Sequence, residues 1–195
     1  MSEPAMSMGA ETPDRGPLRG TMRAVIAYPF GGKIIMTGFP GLETGIDGSA
    51  TFMPEACMET LEGIRSQGGD RLVVLVERDE LDPLGFDLLE RTAAAVGMTL
   101  EYHPTVDYSV PQEAMVQAWT AQRPARQAAL CAGQTLAFSC QYGAGRSGLM
   151  ACWTLMEGGL SAEEAIALVR SHFPEAVESE AQEEWLAALS LEPLA

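Results

Sequence analysis

The residue types best suited to chemistry are concentrated in one stretch, Ser139-Cys140-Gln141-Tyr142-Gly143-Ala144-Gly145-Arg146-Ser147-Gly148. Gly143 and Gly145 let the backbone curl so that successive N–H groups point inward as an anion nest. The helix expected over Leu149–Met156 adds the partial positive charge of its first turn. Arg146 brings a planar fork of donors that fits two phosphate oxygens. A cation at a helix start opposes the dipole unless an anion answers it, so a plain surface arginine is a poor alternative. The same donors stabilise a thiolate at the base of the nest, which makes Cys140 a pre-ionised nucleophile beneath a phosphate-shaped hole. On this reading Gln141, Tyr142, Gly143, Ala144, Gly145 and Arg146 bind the phosphate. Tyr142 either walls the pocket against an aromatic phosphoresidue or points into the protein. The plain alternative for Cys140 is a buried structural thiol, the common fate of a free cysteine.

Such a loop must be carried by a strand and closed by a helix. Thr135–Ser139 reads as that strand, with others at Arg23–Tyr28, Lys33–Thr37, Leu72–Val76 and Thr99–His103. Leu72–Val76 is apolar on both faces, as befits a strand covered by helices on both sides. Pro54–Ser66 and Pro83–Val96 read as helices stopped by Gly68-Gly69 and Gly97. Pro111 suits the first turn of a helix running through Trp119, and Pro124 breaks or kinks the chain beyond it. Ser161 and Glu164 form a capping box for a helix ending before Pro174, and an acidic helix runs from about Glu178 to Leu189. Strands alternating with helices predict an α/β protein: a central, mostly parallel, twisted sheet of about five strands flanked by helices in a three-layer sandwich. Residues 1–20 have the composition of a disordered acidic tail, and residues 21–195 read as a single domain.

Composition narrows the function. The chain has 195 residues, 47% apolar and 20% charged, enough for one self-sufficient core. Its net charge is −15, which argues against nucleic acid and anionic membranes as partners. With four cysteines in no CxxC pair and two histidines, His103 and His172, a metal site is not expected. Cys57, Cys131 and Cys152 have no assigned role, and Cys152 lies in the next helix, where packing accounts for it. Reduced thiols, no apolar leader and no membrane-length apolar run point to the cytoplasm.

Cys-x5-Arg followed by Ser-Gly resembles the active-site loop of the cysteine-based protein tyrosine phosphatase superfamily. Gly143-Ala144-Gly145-Arg146-Ser147 is similar to the dual-specificity branch, and the chain resembles the kinase-associated phosphatase type in three further places. These are Thr37-Gly38-Phe39-Pro40-Gly41, then His103-Pro104-Thr105-Val106-Asp107-Tyr108-Ser109-Val110-Pro111, then Gln182-Glu183-Glu184-Trp185-Leu186. The resemblance covers about Lys33 to Leu189. It departs at Ser139, where the family places a histidine that helps hold the loop and tune the thiolate.

The resemblance implies a phosphatase fold and a cofactor-free, metal-independent hydrolase acting through a phosphocysteine intermediate. Arg146 binds the phosphate and the transition-state oxygens. Asp107 is the general acid and then the base that activates water, its plain alternative being a capping aspartate. Asp82 and Asp87 are weaker candidates, and Asp79 and Glu80 shape the pocket rim. Ser147 hydrogen-bonds the cysteine sulfur, or caps the helix. Gln182 positions the hydrolytic water, or is a polar residue on a solvated acidic helix. His103 reads as structural. The expected substrate is a phosphorylated protein, phosphotyrosine first, or a small phosphomonoester. Two rivals stay open: a catalytically impaired, phosphate-reading binding module, motivated by Ser139, and a rhodanese-type sulfurtransferase, which needs no acid at Asp107. A low-molecular-weight phosphatase is disfavoured because its loop lies near the start of the chain.

Overall fold

The structure, a computed structural model, describes residues 18–45 and 49–191. Most of the tail expected over residues 1–20 therefore lies outside the described residues. Strands β1 (Met22–Ala27), β2 (Lys33–Thr37), β5 (Gly69–Val74), β6 (Thr99–Tyr102) and β7 (Thr135–Ser139) form one sheet in the order β1-β2-β7-β5-β6. β1 runs antiparallel to β2, and the other neighbours are parallel. The expected mostly parallel five-stranded sheet is thus present. A second sheet pairs β3 (Leu42–Thr44) with β4 (Ala50–Phe52), a small hairpin the sequence reading lacks. Its three-residue strands carry mostly exposed side chains, so they show no alternation to read.

The helices are α1 (Pro54–Ser66), α2 (Pro83–Val96), α3 (Glu113–Ala121), α4 (Arg123–Cys131), α5 (Gly145–Glu157), α6 (Ala162–His172) and α7 (Glu180–Ala188). The expected break near Pro124 falls at Gln122, between α3 and α4, and Pro124 itself sits in the first turn of α4, which does not need its missing N–H. Pro111 stays outside α3, which starts at Glu113. α5 starts at Gly145, four residues ahead of the expected Leu149, so the loop feeds its own last residues into the first turn. The capping box of α6 is complete: Ser161 N–H donates to Glu164 Oε2 at 2.8 Å, and Glu164 N–H donates to Ser161 Oγ at 3.2 Å.

β7 lies mid-sheet and every residue in it is buried, as is every residue of α5 behind it. Trp119, Trp153 and Phe138 meet in the core, with ring centroids 6.0 Å apart for the tryptophan pair. Beside them Arg126 stacks 3.7 Å over the Trp119 ring and pairs with buried Glu157, Nη2 to Oε1 at 2.5 Å and Nε to Oε2 at 3.1 Å. Gln127 Nε2 donates to the same carboxylate at 3.2 Å. Among the described residues no helix is long and apolar enough to cross a membrane.

The register places the candidate site. Thr37 pairs with Ser139, Ser139 with Val74, and Val74 with Tyr102. Four strand ends therefore stand on one line, and the loops that follow these four parallel strands leave the same edge of the sheet. In open α/β sheets this carboxyl edge is where ligands bind.

Candidate active site

β7 delivers Cys140 into a loop that closes as α5. The Cys140 side chain is almost wholly buried at 3% exposure, and Gly143 N–H donates to its Sγ at 3.2 Å. Three of the loop's carbonyls accept from donors outside it. Gln141 O accepts from Phe39 N–H at 3.0 Å, Tyr142 O from Arg23 Nε at 2.9 Å, and Ala144 O from Val177 N–H at 3.4 Å as well as from Gly148 N–H of α5 at 2.8 Å. A backbone whose carbonyls are held from outside can keep its N–H groups for the interior, as the Gly143 N–H on the Cys140 sulfur does. Gly143 makes this possible. Its φ is +97°, and a Cβ there would stand 2.5 Å from Gly38 N and 2.6 Å from Thr37 C.

Arg146 sits in the first turn of α5 at 2% exposure. Its Nη1 and Nη2 reach the two oxygens of Glu80, Nη2 to Oε2 at 2.8 Å, and Nη1 also donates to Thr105 O at 2.9 Å. Asp107 Oδ1 lies 3.0 Å from Nη2. Arg146 Nε is buried and has no hydrogen-bond partner among the described residues. Burial works against the guanidinium charge, but Glu80, Cys140 and Asp107 outweigh it and raise the pKa above the usual arginine value. The planar fork is thus locked in place by Glu80, with one donor left over.

Asp107 arrives from the segment after β6. That segment is tied from α7 and its approach: Ser179 Oγ donates to Tyr108 O at 2.9 Å, and Gln182 Nε2 donates to Ser109 O at 3.2 Å. Gln182 is fully buried, so it is no solvated residue, and its amide holds the Asp107 segment. Ser147 Oγ donates to Thr37 O at 3.4 Å, the carbonyl that also accepts from Cys140 N–H at 3.3 Å. Its hydroxyl therefore faces the neighbouring strand end in place of the expected cysteine sulfur. Ser139, where the resemblance has a histidine, donates to Gly38 O at 3.2 Å. Tyr142 is half exposed beside the loop, with Arg23 stacked 4.7 Å over its ring and Phe173 6.2 Å away. The structure therefore brings Cys140, Arg146, Asp107 and the loop residues 141–145 together.

Two acidic neighbours carry more than the sequence reading gave them. Glu80, expected only at the rim, is the partner of Arg146; its signal was an acid just past the end of a strand beside β7. Glu178, not singled out at all, lies against Gly145 from the α6–α7 connection. Asp82 caps α2, accepting from Leu84 N–H at 2.9 Å, and Asp87 lies within that helix. His103 packs edge-on against Trp119, and burial lowers its pKa. Cys57, Cys131 and Cys152 are free thiols, and burial pushes that of Cys152 up to about 12. Among the described residues no cluster of His, Cys, Asp and Glu is arranged to hold a metal.

No family model matches the sequence, and no curated protein matches it. Solved structures do. The kinase associated phosphatase KAP, with its catalytic-site cysteine substituted by serine, is 21% identical with a TM-score of 0.63, over 91% of this chain and 100% of that one. Tk-PTP in its active form is 27% identical with a TM-score of 0.58, over 82% of this chain and 92% of that one. A mutant form of Tk-PTP is 30% identical with a TM-score of 0.51, over 76% of this chain and 93% of that one.

Proposed function

Since the chain belongs to the cysteine-based protein tyrosine phosphatase superfamily, we propose that it is a metal-independent phosphomonoester hydrolase, working through a phosphocysteine intermediate on phosphotyrosine-containing or dual-specificity protein substrates. A phosphatase-like function is common ground with its structural neighbours. The finer reading rests on one observation: a buried thiol and a buried guanidinium with a spare Nε share a glycine-bearing loop that opens a helix, and Asp107 stands 3.0 Å from that guanidinium.

In the first step the Cys140 thiolate attacks phosphorus, the P–O bond breaks, and the carboxyl of Asp107 gives its proton to the leaving oxygen. Loop N–H groups and Arg146 hold the equatorial oxygens, where the transition-state charge is spread. In the second step water attacks the phosphocysteine, Asp107 takes the proton from the water, and the P–S bond breaks to return the thiolate and release inorganic phosphate. Gln182 serves this cycle as a positioning residue for the Asp107 segment. A net charge of −15 and a Cys140–Arg146 loop without lysine support a phosphoprotein over a polyanionic headgroup.

The test is hydrolysis of p-nitrophenyl phosphate with chelator present. Wild type turns over, Cys140→Ser does not, and Asp107→Asn falls by about 10²–10⁴-fold in kcat. A folded wild type that binds phosphate without turnover would make the chain a binding module, for which the neutral Ser139 beside Cys140 speaks. Sulfur transfer from thiosulfate in place of phosphate hydrolysis would assign it the rhodanese chemistry.

A further inference from the structure

The mechanism leaves Glu178 unused, yet its side chain lies directly against Gly145. A Cβ on Gly145 would stand 2.7 Å from both Glu178 Cγ and Glu178 Oε1, and the Gly145 N–H favours the charged carboxylate. That N–H belongs to the first turn of α5 and has no intrahelical partner to go to. The α6–α7 connection is fastened on each side of the loop. Arg170 Nε and Nη2 hold the carbonyls of Ala176 and Val177 at 3.0 and 2.8 Å. Val177 N–H bonds Ala144 O at 3.4 Å, and Ser179 Oγ bonds Tyr108 O at 2.9 Å. Val177 itself has a φ of +57°, a left-handed conformation unfavourable to a β-branched residue, which the surrounding bonds must hold.

The groups that face Glu178 come from every side of this wedge. Asp107 faces it from the segment after β6, Arg146 from α5 and Glu175 from its own connection, while Tyr142 lies on its flank. Beyond Arg146 stand Glu80 and the Cys140 thiol. Arg146 is therefore paired with Glu80 and Asp107, and Glu178 is a third carboxylate set against the same loop at Gly145.

We propose that Glu178 is an internal competitor for the anion seat of this loop: ionised, it disfavours dianions in the Cys140–Arg146 loop, and protonated, it admits them, so that it sets the pH dependence of oxyanion binding. The inference rests on the phosphate-loop reading above. Burial, helped by the charge of Asp107, raises the Glu178 pKa above the ordinary carboxylate range in spite of Arg146. As pH falls through that raised value the carboxylate loses its charge and the seat opens to a dianion. A neighbouring unit charge at this range in a partly buried site changes the affinity for a dianion by about tenfold or more.

Sulfate is the probe, because its own charge is constant over the range used. Its dissociation constant is measured by calorimetry from pH 4.5 to 7.5 for the full chain as wild type, Glu178→Gln and Asp107→Asn, each checked for folding by its melting curve. Wild type should bind sulfate more tightly as pH falls. Glu178→Gln should bind about tenfold or more tightly at pH 7.5 and lose most of the pH dependence, while Asp107→Asn keeps it. A Glu178→Gln profile that superimposes on wild type, or a pH dependence that vanishes in Asp107→Asn alone, overturns the assignment and leaves the phosphate-loop reading standing. Sulfate binding by none of the three at any pH overturns both. If Glu178→Gln does not fold, Glu178→Ala is measured against the same outcomes.

Discussion

Gly143→Ala isolates what the nucleophile loop demands of its sequence. The native φ of +97° lies beyond the left-handed helical region that other residues reach, and holding alanine there costs about 1–3 kcal/mol. The new Cβ would stand 2.5 Å from Gly38 N and 2.6 Å from Thr37 C. Both are backbone atoms at the end of a paired strand, so no flexible side chain can yield, and forced overpacking adds about 1–3 kcal/mol. The sum is about 4 kcal/mol, which for a domain of this size lowers the melting temperature by about 8–16 °C. The loop would also shift by a good fraction of an ångström. Because Gly143 N–H bonds the Cys140 sulfur, turnover of p-nitrophenyl phosphate should fall by about 10–100-fold. Gly97→Ala is the control: its φ is +67° at the end of α2 and a Cβ there meets nothing within 4 Å, so only the left-handed term of about 1 kcal/mol applies. Calorimetric melting of both variants decides. If Gly143→Ala melts within about 1 °C of wild type, or no lower than Gly97→Ala, the loop is not wedged against Gly38 and the reasoning fails.

The buried Arg126–Glu157 pair gives a second expectation. Glu157→Ala leaves a guanidinium under the Trp119 ring without its counter-charge and should cost about 3–5 kcal/mol in urea unfolding, while the double variant Arg126→Met with Glu157→Leu recovers most of that loss. A third concerns pH. Burial, opposed by Glu101, holds the His103 pKa below its ordinary value of 6.5, so the unfolded chain takes up this proton more readily than the folded one. Its contribution is therefore complete above pH 6.5 and is lost as pH falls through the depressed folded value. Urea midpoints from pH 7.5 to 5 should show that decline, and His103→Gln should make it shallower.

The sequence was most informative where one residue type has one physical use. The apolar run of β7, the two glycines and Arg146 define a strand, a curled loop and a helix start, and the structure has all of these in that order. Pro83, Gly97 and the Ser161–Glu164 pair mark helix ends in the same direct way. What stayed hidden depends on contacts between distant segments. Glu178 sits in an acidic stretch with Glu175, Glu180 and Glu183 that reads as a solvated surface, and only the fold lays it on Gly145. Gln182 carries the same disguise: the helix buries its amide against Ser109, and no local pattern shows which face of so polar a helix turns inward. Glu80 was legible as a residue near the pocket, but its role became visible only once the register aligned the ends of β5 and β7.

The two hydrogen bonds from Ser179 and Gln182 to the carbonyls of Tyr108 and Ser109 mean that Asp107 does not ride on an independent flap. An outward swing of Asp107 either breaks both bonds, at about 1 kcal/mol each, or takes the start of α7 and Glu178 with it. In the second case Arg170 must also release Ala176 and Val177. Both negative charges would then leave the rim together, so solvent access and the local electric field at the Cys140 sulfur would change in a single event. In that case anion entry would be tied to the loosening of a helix end, a motion of the microsecond-to-millisecond class.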